Sequence, residues 1–233
     1  MIASLPDSTP SCRPIRSFVR REGRITPSQQ RALARLWPRY GLDAGEQLFD
    51  LAEIYGRHAT RVLEIGFGDG VSLLRQAQAY PESDYLGIEV HRPGVGRLLR
   101  ALERAELTNV RVICEDAVTV LRRNIPEQSL DVVQLFFPDP WPKKRHHKRR
   151  IVQPEFVELV RTRLREGGRF HLATDWEAYA QHMMVILSEA PGYHNVAGSG
   201  SFVSRPDSRP LTKFELRGQR LGHRVWDLIF ERC

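Results

Sequence analysis

The chain reads as an α/β protein built on a doubly wound, mostly parallel sheet, with an antiparallel hairpin added by its C-terminal tail. Between residues 61 and 187, short apolar runs alternate with segments whose apolar residues recur at helical spacing, the pattern of repeated βα units. The run at 130–137 is apolar on both faces, as a strand buried inside a parallel sheet must be. The tail carries two further strand-like runs, 212–216 and 224–230, separated by Gly218 and Gly222, which predicts the hairpin.

Taken in order, Thr26-Pro27-Ser28 sets a capping residue before a proline and opens a helical segment. Leu33 and Leu36, then Leu48, Leu51 and Ile54, predict two short helices ahead of the sheet. A first strand over 61–66 ends in glycine, a helix follows over 71–79, and a second strand covers 85–89. Val95, Leu98, Leu99, Leu102 and Ala105 share one helical face, and a strand at 110–114 and a helix at 117–123 lead into the strand at 130–137. Pro154 starts the next helix, lined by Phe156, Val157, Val160 and Leu164, and Gly167-Gly168 is expected to stop it. A strand at 169–174 and a helix at 176–187 complete the repeated units.

With 233 residues, 41% of them hydrophobic, the chain can bury one substantial core, predicted to be a single domain over 26–233 behind a basic arm at 1–25. No window approaches the roughly 18 consecutive apolar residues of a membrane span. Residues 1–11 are polar and proline-bearing, without a charged start leading into an apolar segment. A cytoplasmic protein with no membrane partner is expected, with Cys12, Cys114 and Cys233, far apart and forming no C-x-x-C pair, as thiols. Monomer and homodimer are equally compatible with this pattern.

The net charge of +7 is concentrated, because residues 143–150 hold six Lys or Arg and two His with no acid. Such a run lies in solvent or against a polyanion, so a solvated loop and a focused nucleic-acid contact are the two readings. Arg13, Arg16, Arg20, Arg21 and Arg24, opposed by Glu22 alone, give the arm the same two readings. His146-His147 finds no third ligand at a helpful spacing, and no metal is expected. Just ahead of the run, Pro138, Pro140 and Pro142 fix φ and lack an N–H, so the loop carrying Asp139 and Trp141 is stiff. Because it follows the fourth strand, Asp139 belongs at the carboxyl edge of the sheet, where folds of this kind bind ligands.

After the first strand comes Glu64-Ile65-Gly66-Phe67-Gly68-Asp69-Gly70. A dinucleotide fingerprint would need glycine at position 71, which is Val, and the Gly-Lys-Ser/Thr ending of a P-loop is missing. Glu64 sits inside an apolar strand, where a carboxylate requires a cationic or hydrogen-bonding partner. Glu89 ends the second strand, where a carboxylate can accept both hydroxyls of a ribose, and Asp116 follows the third. Each acid also has a plainer role open to it: Asp116 as a helix cap, Glu89 as a partner of Arg92 or Arg97.

This E-x-G-x-G-x-G loop resembles that of the class I S-adenosylmethionine-dependent methyltransferases, whose fold is Rossmann-like. The resemblance implies S-adenosyl-L-methionine as cofactor, held by Gly66 and Gly68, by Glu64 at the methionine and sulfonium end, by Glu89 on the ribose, by Asp116 near the adenine, and by Asp139 beside the methyl donor. Amino-methyltransferases carry N-P-P-Y or D-P-P-Y where this chain has Pro138-Asp139-Pro140-Trp141. Together with Lys143-Lys144-Arg145, Arg24-Ile25-Thr26 and Thr212-Lys213-Phe214-Glu215, that loop closely resembles the bacterial tRNA (guanine-N7-)-methyltransferases. This second likeness implies a tRNA partner and methyl transfer to N7 of a guanosine, at position 46 of the variable loop. Asp139 would be the catalytic residue, and Lys143, Asp175, Thr212, Lys213, Phe214 and Glu215 the substrate contacts. Arg145, His146, His147, Lys148, Arg149 and Arg150 would touch the RNA. Plainer roles stand beside these: an Asx turn for Asp139, a helix cap for Asp175, a mutual pair for Lys213 and Glu215, and a packing role for Trp141. Two other functions fit the residues less fully: methyl transfer to an amino group of another RNA or a protein, and a non-catalytic RNA-binding module.

Overall fold

The computed structural model describes residues 25–212, 215–216, 222 and 224–233, so the arm through Arg24, Lys213 and Phe214 lie outside the described residues. The chain begins with α1 (Pro27–Tyr40). Thr26 caps it through a capping box, its hydroxyl accepting from the Gln29 N–H while the Gln29 carboxamide accepts from the Thr26 N–H. The short α2 (Leu51–Tyr55) follows. Then come β1 (Arg61–Ile65), α3 (Val71–Ala79), β2 (Asp84–Ile88), α4 (Arg92–Arg104), β3 (Val110–Ile113), α5 (Ala117–Arg123) and β4 (Leu130–Phe136). The chain continues with a 3₁₀ helix (Lys144–Arg149), α6 (Pro154–Arg163), β5 (Leu164–Thr174), α7 (Glu177–Glu189), β6 (Tyr193–Asn195) and β7 (Trp226–Arg232).

The strands form one sheet in the order β3-β2-β1-β4-β5-β7-β6. β3, β2, β1, β4 and β5 run parallel, and β7 is antiparallel to both β5 and β6. Because strand side chains alternate, neighbouring residues feed opposite layers: Leu63 and Ile65 join the cluster under α5, α6 and α7, while Val62 joins the one under α1, α3 and α4. The predicted doubly wound architecture is therefore present.

Three local expectations are corrected. Gly167-Gly168 does not stop α6, which ends at Arg163; the pair lies inside β5, where the register jumps from Leu130↔Leu164 to Val132↔Arg169. The bulge is why glycine is there: Gly167 has φ +71°, and a Cβ on Gly168 would come within 2.8 Å of the Arg165 carbonyl oxygen. The strand expected over 212–216 is not seen at its described residues, since 215–216 are helical. The Thr212 hydroxyl accepts from the Glu215 N–H (3.1 Å) and the Thr212 carbonyl from the Leu216 N–H (3.0 Å), opening a helical turn at 215–216. β7 pairs instead with β5 and with the three-residue β6, a strand too short to show in the pattern. Finally, the basic run, for which a solvated loop is one reading, forms a 3₁₀ helix over Lys144–Arg149, so its side chains fan out around one axis.

Candidate active site

Since five strands run parallel, their carboxyl ends form one edge, and the spatial strand order sets the order of the side chains along it. From β3 to β5 that edge presents Asp116, Glu89, the glycine loop with Glu64 behind it, Asp139 and Asp175. Acids read from five separate strands thus stand in one row, about 19 Å from end to end at the usual strand spacing. The turn of strand order falls at β1, which pairs with β2 on one side and β4 on the other, so the glycine loop sits at the switch point where such sheets open a crevice.

The loop is shaped for close approach by a ligand. Gly66 and Gly68 have φ of +71° and +59°, and a Cβ built on either meets nothing within 4 Å, so both backbones face open space. Glu89, buried, accepts from the Gly68 N–H (2.8 Å) through one oxygen and from the His91 N–H (2.9 Å) through the other. It pairs with neither Arg92 nor Arg97; Arg97 faces Asp69, 3.5 Å away. Each Glu89 oxygen keeps a lone pair for a further donor. Asp116 does cap α5, its Oδ1 accepting from the Thr119 N–H and hydroxyl (2.9 Å each), which leaves Oδ2 for another role.

Glu64 lies on the α3 side of β1 and is 3% exposed. The Ser72 hydroxyl of α3 lies beside its carboxyl, and from Ser72 a buried polar chain runs through Gln76 to Gln134, the β4 residue in register with Glu64. Its Oε2 has no hydrogen-bond partner among the described residues, an unmet buried acceptor directly behind the glycine loop. Burial pushes its pKa from 4.5 up to about 8, the Ser72 hydroxyl offsetting part of this and the charges of Asp69 and Glu89 adding to it. A carboxyl whose folded pKa is raised favours the fold below its ordinary value and loses that contribution as pH climbs to the folded pKa. Stability should therefore decline between about pH 5 and about pH 8, and Glu64→Gln should flatten that decline in thermal melts; an equal slope in both proteins would refute the assignment.

Asp139 is exposed at the tip of its proline loop. The loop is held in a strained shape: Phe137 and Trp141 have φ of +51° and +44°, unusual for side chains of this size. Surrounding contacts impose it. The Phe137 N–H bonds the Ala173 carbonyl of β5 (2.8 Å), and Trp141 packs edge-on against His146 while the Arg149 guanidinium lies 5.0 Å over its ring. Trp141 thus fastens the loop to the basic helix. Arg150, expected to touch RNA, is instead 3% exposed: its Nε donates to the Pro140 carbonyl (2.9 Å), and its guanidinium sits 4.7 Å over the Tyr179 ring on α7. A side chain used in this way cannot reach a phosphate. His147 shares the clamp, its Nε2 3.3 Å from Arg150 and its carbonyl accepting from Gln153. Lys143, Arg145, Lys148 and Arg149 remain exposed on the outer face, with His146 half-buried against Trp141. Asp175 is half-buried at the end of β5 and does not cap α7, whose N-cap residue is Trp176.

A buried ionic cluster holds the far side of the crevice, and its members are too scattered along the chain to stand out as a group in the sequence. Arg209, 1% exposed, grips both oxygens of Asp227 (2.6 and 2.8 Å) and both of Glu215 (2.7 and 2.9 Å). His171 of β5 adds a 2.8 Å contact to Asp227. Glu215 is accordingly buried and paired with Arg209, while the expected Lys213 partner lies outside the described residues. Asp227 is opposite Ala173 in the β5/β7 ladder, so the cluster sits at the same sheet edge as Asp139 and Asp175. The Arg209 guanidinium also lies over the Phe136 and Phe137 rings (5.9 and 5.6 Å), directly behind the proline loop. One signal was available: Thr212-Lys213-Phe214-Glu215 has the Thr-x-x-Glu spacing that opens a helix.

Among the described residues no group of His, Cys, Asp or Glu could hold a metal ion, and no described helix is long and apolar enough to cross a membrane. Residues 58–228 match the family model described as "Putative methyltransferase". A tRNA (guanine-N(7)-)-methyltransferase of Edwardsiella ictaluri is 56% identical, the match covering 99% of this chain and 97% of that protein. One of Aeromonas hydrophila is 59% identical over 94% of this chain and 93% of its own. Among solved structures, the 16S rRNA methyltransferase KamB superposes with a TM-score of 0.58 at 14% identity, over 80% of this chain and 95% of that one. TrmN from Thermus thermophilus does so at 0.52 and 17%, over 88% of this chain and 48% of that one. At such identities these two likenesses concern the fold alone.

Proposed function

The chain belongs to the tRNA (guanine-N7-)-methyltransferase family, and from that membership we propose that it methylates N7 of guanosine 46 in the variable loop of tRNA, with S-adenosyl-L-methionine as methyl donor. The observation that carries the reading is the single row of Asp116, Glu89, Glu64 and Asp139 along one sheet edge, with the basic 3₁₀ helix clamped beside Asp139. The residues fit the donor. The unpartnered Glu64 Oε2 suits its ammonium group, the outward-facing Gly66 and Gly68 backbones admit its length, Glu89 suits the ribose hydroxyls and Asp116 the adenine amine. When bound, the cofactor supplies an electrophilic methyl group on sulfonium.

Guanine N7 carries a lone pair that is free at neutral pH, so no residue has to remove a proton before the methyl is transferred. The protein contributes position and charge. Asp139 accepts from the guanine N1–H and N2–H, aims N7 along the edge, and favours the positive charge the base acquires. Lys143, Asp175, Thr212, Lys213 and Phe214 contact the target nucleotide, while Glu215, locked by Arg209, shapes the wall behind them. Lys148, Arg145 and Arg149 hold phosphates, with His146 at their side.

Borohydride and aniline cleavage tests this directly. tRNA from a strain lacking the gene should no longer break at position 46, and the purified chain with cofactor should restore the break; cleavage that persists in the deletion strain refutes the assignment. Nucleoside mass spectrometry of the same product separates N7 methylation from methylation of an amino group. The buried position of Arg150 yields a second prediction. Arg150→Gln should reduce kcat about tenfold by loosening the proline loop yet keep the salt dependence of tRNA binding, whereas Arg145→Gln with Lys148→Gln should lower the salt slope by about 2 units. Equal slopes in the two variants would contradict this division.

A further inference from the structure

Away from the crevice, a hollow of about 510 Å³ lies between α1 and α4, lined by Arg31, Ala32, Ala34, Arg35, Arg100, Glu103 and Arg104. Two rows of arginine flank it. Arg31 and Arg35 are four residues apart on α1, Arg100 and Arg104 four apart on α4, so each pair stacks along one helical face. The helices run in the same direction. Gln29 near the start of α1 donates to the Pro93 carbonyl near the start of α4 (3.0 Å), and Arg35 further along meets Glu103 near the far end of α4. They are pressed together near their starts, because a Cβ on Gly96 would lie 3.0 Å from the Gln29 carbonyl oxygen.

The charge in the hollow is unbalanced. Its one acid, Glu103, is already engaged at both oxygens by Arg35 (2.6 Å each). Arg31, Arg100 and Arg104 are exposed and have no hydrogen-bond or ion-pair partner among the described residues. Three like charges around one concavity repel one another and favour an anion between them. Arginine, with its planar fork of donors, is the side chain suited to bidentate phosphate recognition. Ala32 and Ala34 leave depth for a backbone to settle. Arg100 stands about 12 Å along α4 from its first residue, too far to reach a base in the crevice. The 3₁₀ helix rests on α7 at the opposite face of the sheet from α1 and α4.

We propose that the α1–α4 hollow is a second RNA contact, in which Arg31, Arg100 and Arg104 hold backbone phosphates of the tRNA on the sheet face opposite the 3₁₀ helix. The tRNA then straddles the sheet edge, gripped on both faces, with the target base between the grips. This rests on the reading of folded tRNA as substrate, and it places binding energy in a part of the RNA remote from the reacting atom.

The test is the triple variant Arg31→Gln, Arg100→Gln, Arg104→Gln, whose three sites are exposed, with unfolding checked by circular dichroism. Anisotropy titrations with a full-length tRNA transcript across a salt series should show affinity lower by about 10–100-fold and a salt slope smaller by about 2–3 units. At saturating tRNA kcat should equal that of the wild type, with KM for tRNA raised, and a short hairpin carrying only the target loop should bind both proteins alike. An unchanged slope on full-length tRNA overturns the proposal. So does an unchanged slope with a loss of oligomer mass in sedimentation, which would assign the hollow to a second copy of the chain. If the wild type fails to methylate the transcript, it is the substrate reading that falls, since the titrations need no methyl transfer.

Discussion

Asp139→Ala is expected to lower kcat by about 10²–10³-fold while tRNA affinity stays within about twofold. The separation comes from where the charges sit. Asp139 is a single exposed carboxylate at the end of β4, on a loop whose geometry comes from three prolines, the Arg150 to Pro140 bond and the packing of Trp141, none of which uses the Asp139 side chain. Its removal leaves the wall standing and takes away only the group aimed at the base. Affinity for RNA is dominated by phosphate contacts, and those are assigned to cations elsewhere. A pre-placed charge matters most where charge develops, and the guanine becomes cationic only as the methyl arrives. Asp139→Asn refines the test: the amide keeps the shape but lacks the charge and one acceptor, so it should recover little of the lost rate. Single-turnover methylation with equilibrium titration of the same preparations gives both quantities. A variant that binds tRNA much more weakly, with its single-turnover rate intact, would turn Asp139 into a docking residue and refute the mechanism.

The parts of this arrangement that could be read in the sequence are those whose causes are local. Strands β1 to β5 declare themselves because burial on both faces favours runs dominated by apolar residues, and the strand ends are marked by glycine, proline and acids. Once the sheet is parallel, Glu64, Glu89, Asp116, Asp139 and Asp175 must share an edge, so the row needed no knowledge of contacts. The features that escaped are set by distant partners. Arg150 ends a run of similar cations, and only its position under Pro140 and over Tyr179 separates it from Arg149. Residues 212–216 have the β-branched and aromatic content of a strand, but Glu215 is held by Arg209, which also grips Asp227, 18 residues beyond Arg209. The Gly167-Gly168 pair stops a helix in isolation and makes a bulge beside β4.

Arg209→Met is expected to destabilise the protein by about 3–5 kcal/mol, lowering Tm by about 10 °C. The size comes from the charges left behind. Glu215 and Asp227 are 3% and 2% exposed, and without the guanidinium two carboxylates would face each other in the protein interior, with His171 as their nearest base. Burial alone would raise the pKa of Asp227, but the hydrogen bonds from His171 and Arg209 outweigh it and hold the carboxyl below its ordinary 3.8. A depressed carboxyl contributes stability above its ordinary pKa and loses it as pH falls through the folded value, so in the wild type this contribution is complete at neutral pH and fades only in acid. In the variant it is absent throughout, so the gap in Tm between the two proteins should narrow in acid. Arg209→Lys should rescue poorly, because one ammonium cannot fork onto two carboxylates at once. Arg209→Met with Glu215→Gln should recover part of the loss by removing one uncompensated charge, a gain that simple loss of packing would not produce. The same variants connect stability to catalysis: the Arg209 guanidinium backs the Phe136 and Phe137 rings, from which the loop to Asp139 departs. At a temperature where Arg209→Met remains folded, kcat should fall more than tRNA affinity. A loss in Tm below about 2 °C would show that the cluster is solvated and that the wall behind the crevice is held by its apolar packing.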